Sequence, residues 1–129
     1  MKRILIFASL GEAATGVALL IVPSLVGQLL LGEELTGVAI PVARVAGIAL
    51  IALGIACWPG SDTSNRAFRG LGAMLCYSLL VTLYLVYLGI GGEWVGILLW
   101  PAAAVHAVFT LLLVAAWRND RQSPGRSTP

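Results

Sequence analysis

Four apolar stretches, each close to the length of a bilayer crossing, constrain this chain more than any other feature. They cover residues 4–22, 38–58, 70–90 and 95–117. A helix rises about 1.5 Å per residue, so about 20 apolar residues cross roughly 30 Å of hydrocarbon. In that solvent every backbone N–H and C=O needs a partner within the protein, which leaves helices or a closed barrel. Apolar runs of this length are helices. Glycine and proline inside the windows do not oppose this, because both are commoner in membrane helices than in soluble ones. The predicted fold is all-α, an integral membrane four-helix bundle over residues 1–117.

Composition narrows the alternatives. Of 129 residues, 59% are hydrophobic and 11% charged, against about 45–50% and about 25% in a soluble domain. Too few charges are present to cover a water-facing globule, and a disordered chain needs the opposite balance. Two cysteines are too few for a disulfide scaffold. A net charge of +2, with the bases scattered, excludes nucleic acid as a partner.

The joints are short and polar or glycine-rich. Pro23 interrupts the first window, and Pro23–Leu31 reads as a short helical extension with proline at its start and Gly32 at its stop. Turns are expected at 32–36, 59–65 and 89–93, and a disordered cytoplasmic tail at 118–129. Lys2 and Arg3 followed by an apolar run resemble a secretory leader. The apolar pattern nevertheless continues beyond Ala14, and Glu12 interrupts the stretch that a leader keeps clean. The first helix is therefore expected to be retained.

Charge placement predicts orientation. Lys2 and Arg3 flank the first helix, Arg66 and Arg69 separate the second and third, and Arg118, Arg121 and Arg126 follow the fourth. With an even number of crossings these places share a side. The other side carries Glu33, Glu34 and Glu93 and neither Lys nor Arg. Seven of the eight bases thus fall together, and the eighth, Arg44, lies inside a span. The positive-inside rule puts both termini in the cytoplasm of a bacterial inner membrane. Trp58, Trp94, Trp100 and Trp117 sit mostly near helix ends, where indole rings prefer the headgroup layer. Trp100 lies deeper, with packing between helices as its alternative.

The ionisable residues within the spans are Glu12, Arg44 and His106. A charge at the centre of a membrane helix costs about 2.5–3.5 kcal/mol on insertion scales, so each calls for a partner. Glu12 and His106 lie near the middle of the first and fourth spans. Arg44 lies about four residues, roughly 6 Å, toward the outer face from the middle of the second. A carboxylate arm and a guanidinium arm bridge that difference. Glu12 and Arg44 are expected to pair, with His106 close by and Tyr84, at the depth of Arg44, donating to the cluster. Such a cluster would bolt the helices in register, or bind a proton, an ion or a small polar ligand. In a third arrangement Arg44 snorkels to the outer headgroups and Glu12 is neutral.

Other polar residues are read as packing. Tyr77, Tyr84 and Tyr87 share the third helix with Ser78 and Thr82, and Tyr77 and Tyr84, seven apart, share a face. Cys57 and Cys76 read as free thiols packed near the cytoplasmic ends of their helices. His106 lacks a second histidine at helical spacing, so neither a metal site nor another cofactor is expected. Ala39, Ala43 and Gly47 step by four along the second helix with Gly54 seven further on, and Ala103 and Ala107 do so in the fourth. Such small-residue faces let helix backbones approach closely. No nucleophile–base pair or phosphate-cradling loop is visible, and catalysis is not expected.

The segment Ala43-Arg44-Val45-Ala46-Gly47-Ile48-Ala49-Leu50-Ile51-Ala52-Leu53-Gly54 resembles the Arg-x-x-Gly-then-Gly pattern of small bacterial four-helix proteins of the broad DoxX-like group. Gly11-Glu12-Ala13-Ala14-Thr15-Gly16 resembles the leader helices of members of such families. The resemblance implies a four-span layout and, for some members, a membrane subunit linked to quinone or thiol redox chemistry. No redox motif of the group matches here, so no catalytic residue carries over. The expected role is structural or accessory, with membrane lipids and a homo-oligomer or larger membrane complex as partners. The alternatives are a small carrier or channel using the Glu12–Arg44–His106 cluster, and a quinone-linked accessory subunit.

Overall fold

The structure, a computed structural model, describes residues 2–59 and 64–121, with side chains described at 2–59 and 69–119. Five helices follow in order: α1 (Lys2–Ile21), α2 (Pro23–Leu31), α3 (Ala39–Ala56), α4 (Ser64–Gly91) and α5 (Leu99–Arg121). No strand occurs among the described residues. α1, α3, the Arg69–Gly91 part of α4 and the Leu99–Asn119 part of α5 are each long and apolar enough to cross a membrane. That is the build of a multi-pass membrane protein.

Helix boundaries follow local chemistry. Pro23 opens α2, and Pro41 and Pro101 are each the third residue of α3 and α5. First-turn N–H groups have no intrahelical acceptor, so proline removes nothing there. α2 ends at Gly32, whose φ of 85° is the left-handed conformation glycine adopts without penalty, and the Gly32 N–H donates to the Gln28 carbonyl. The last spanning helix starts at Leu99, four residues later than the hydropathy window. The Gly96 and Leu98 N–H groups instead donate to the Leu30 and Leu29 carbonyls at 3.0 and 2.8 Å. These bonds cap the free C-terminal end of α2 and hold the connecting loop out of helix. At the other boundary α5 continues to Arg121, so residues 118–121 are helical where a tail was expected. Residues 122–129 lie outside the described residues, as do 60–63 of the expected turn, while Ser64 and Asn65 already belong to α4.

The long helices associate as two pairs, α1 with α3 and α4 with α5, and α1 touches both partners of the second pair. The first pair is built on glycine. A Cβ on Gly54 would stand 2.7 Å from the Ser9 carbonyl oxygen, and Gly16 and Gly47 oppose one another further along. In the second pair the Trp100 ring lies over Gly89; it remains half exposed at the start of α5. Leu5, Ala8, Cys57, Leu71, Met74 and Leu113 form a close-packed core at one end. The opposite end is occupied by α2 and the joints before α3 and α5, where Gly32 meets Val95. The joints carrying Glu33, Glu34 and Glu93 therefore share one end. Cys57 and Gly70 meet at the other.

Candidate functional site

Between the two helix pairs, three helices each contribute one polar side chain at the same level. α1 buries the face Leu5, Ala8, Ser9, Glu12 and Gly16, a run of three- and four-residue steps that places the carboxyl among its neighbours. Glu12 is only 3% exposed. Its Oε1 lies 3.8 Å from Nδ1 of His106 on α5, beyond the usual hydrogen-bond range of about 2.7–3.2 Å, so the contact is electrostatic. From α4 Tyr77 brings its hydroxyl near the same carboxyl group. The Tyr77 and His106 rings meet edge to face, with centroids 5.9 Å apart and planes at 77°. His106 Nδ1 and the hydroxyls of Ser9 and Ser78 are buried without a hydrogen-bond partner. The Thr110 hydroxyl donates to the His106 carbonyl at 2.8 Å.

The cluster lies beneath a cavity of about 480 Å³ that opens between the pairs on the α2 side. Tyr77 and His106 form its floor, and Thr15 is the other polar residue lining it. The remaining lining side chains are aliphatic and come from all five helices. The carboxyl–phenol–imidazole cluster thus lies between the packed core and the cavity. Chemically, the cluster can hold a proton between its groups or accept a hydrogen-bonding head from the cavity.

Two of the residues expected to cluster do so: Glu12 and His106. The expected Glu12–Arg44 pair does not form. Arg44 is exposed on α3 and lines a separate groove of about 420 Å³ with Ser24, Gln28 and Glu34. The stripe of Ala43, Gly47 and Gly54 turns toward α1 and carries Arg44 to the side. Tyr84 is also outside the cluster. It is exposed and stacks on Tyr87, with centroids 6.4 Å apart and planes at 25°, while Tyr77 takes the position at the carboxyl. Seven residues of helix, roughly 10 Å, separate the two tyrosines, which is too far for one carboxyl to serve both.

Tyr77 was not expected in the cluster, nor Ser9 and Ser78 as buried polar groups. Ser9 was signalled by its spacing, one helical turn before Glu12 and two before Gly16. Cys57 is buried, with its thiol donating to the Gly70 carbonyl at 3.5 Å, and Cys76 is exposed; both are free. Among the described residues no three His, Cys, Asp or Glu side chains gather as a metal site would need. Comparison of the chain with protein-family models, with curated proteins and with solved structures finds no match.

Proposed function

We propose that this chain is a four-helix bundle of the bacterial inner membrane, with both termini cytoplasmic. It is of the DoxX-like kind and acts as a structural or accessory component of a membrane complex, without catalysis of its own. The observation that carries this reading is the enclosure of Glu12. A carboxyl costly to place in a membrane is held by groups from α4 and α5 and so joins α1 to the second helix pair. Its use is architectural. Ion conduction needs a polar path, whereas the way from the α2 end to the cluster runs past aliphatic side chains. Orientation rests on the grouping of the acidic joints at one end, opposite the bases of the termini.

The test is isolation from native membranes in mild detergent, with reciprocal tagging of whatever co-purifies. The expected result is a partner at fixed stoichiometry that loses stability when this chain is deleted. A homo-oligomer alone, with no such partner, contradicts the accessory role.

A further inference from the structure

The cavity above the cluster has the size and lining of a ligand site, within the roughly 300–1,000 Å³ typical of small-molecule pockets. At the opposite end Leu5, Leu71, Met74 and Leu113 pack together as a core. Aliphatic walls favour an apolar body. The lining includes no Asp, Glu, Lys or Arg, so a charged head would lose its hydration without gaining a counter-charge. At the floor the His106 imidazole, 16% exposed with its Nδ1 enclosed beside Glu12, and the Tyr77 hydroxyl are polar groups that line the cavity, and each side chain can take part in a hydrogen bond with a small polar head. We infer that the cavity binds a single-chain amphiphile with a neutral hydroxyl head, the head against His106 and Tyr77 and the chain directed toward α2. The space is too small for a whole two-chain phospholipid. α2, tied to the α4–α5 loop through the Leu29 and Leu30 carbonyls, lines the far side. The site does not depend on whether the protein has a protein partner.

The test uses the full chain in phosphatidylcholine nanodiscs, with tetradecan-1-ol carrying a mid-chain diazirine as the probe. After irradiation, cross-links are mapped by peptide mass spectrometry. The expected labelling concentrates on cavity residues such as Leu29, Leu85 and Ala102, and excess unlabelled tetradecan-1-ol competes it away. The matching diazirine alkane labels these residues about 2- to 10-fold less, the worth of one hydrogen bond. H106F removes that difference, and A102F, which fills the cavity, abolishes labelling by both. Labelling spread over exposed residues such as Val45, Val108 and Leu111 without competition overturns the site, and this arm needs no variant. Equal labelling by alcohol and alkane, or a difference that survives H106F, overturns recognition of the head. Equal labelling of the cavity by phosphatidylcholine bearing the diazirine on one acyl chain shows a bilayer lipid as occupant and overturns a dedicated single-chain ligand.

Discussion

Gly16 of α1 and Gly47 of α3 are in reciprocal contact. A Cβ on Gly16 would stand 2.5 Å from the Gly47 carbonyl oxygen, and one on Gly47 would stand 2.6 Å from the Gly16 carbonyl oxygen. In lipid, helices gain little from hiding apolar side chains from one another, and close backbone approach supplies the attraction instead. Gly54 against Ser9 repeats the arrangement nearer the other end, so the first helix pair is held along much of its length.

Adding a methyl group at this contact forces the helices apart. G47A is expected to destabilise the protein by about 1–3 kcal/mol, the usual cost of overpacking. G11A, at an exposed position with open space around it, is expected to stabilise by about 0.5–1 kcal/mol by favouring helix. Unfolding in detergent, followed by circular dichroism, gives both values. Equal effects at the two positions would contradict the close approach.

The Glu12–His106 contact predicts coupling. In a double-mutant cycle with E12Q and H106L, the two changes should interact by about 0.5–3 kcal/mol, as contacting residues do. E12Q combined with R44M should be additive within about 0.3–0.5 kcal/mol, because Arg44 is elsewhere. Strong coupling to Arg44 and none to His106, measured by the same unfolding assay, would reverse the assignment.

Gly96 has the Leu29 carbonyl against it, in the place a Cβ would occupy. G96A is therefore expected to displace the loop from α2 and break the hydrogen bonds from Gly96 and Leu98 to the Leu30 and Leu29 carbonyls. Each such bond contributes about 0.5–1.5 kcal/mol net. Hydrogen exchange at residues 96 and 98 should accelerate while exchange in the middle of α1 stays slow. Unchanged exchange at both amides would show that α2 is not anchored there.

Depth along the membrane was legible in the sequence, whereas direction around each helix was not. Hydropathy locates the spans because length and apolarity are properties of single segments. Glu12 and His106 come together because each lies near the middle of its own span. The same depth reasoning misassigned Arg44. At 3.6 residues per turn, Ala43, Gly47 and Gly54 fall within roughly 40° of one another, with Arg44 roughly 80° from their centre. The small-residue stripe, already visible as a packing face, pointed Arg44 away from α1. Tyr84 shares the level of Arg44 and, like it, lies outside the cluster. The carboxyl lies deeper, where Tyr77 stands. The cavity had no signature in the sequence, because it arises from two helix pairs that part on the α2 side, and the aliphatic residues lining it are the same kinds that face lipid.

Site-directed cysteine accessibility tests the central claim, an even number of crossings with the acidic joints outward, most directly. In a C57A/C76A background, single cysteines replace Glu34, Glu93 or Arg121 in turn, and intact cells with a permeabilised outer layer are treated with a membrane-impermeant maleimide. E34C and E93C should react at once, and R121C only after the inner membrane is opened. Reaction of R121C from outside, or opposite behaviour of E34C and E93C, would contradict the four-crossing arrangement.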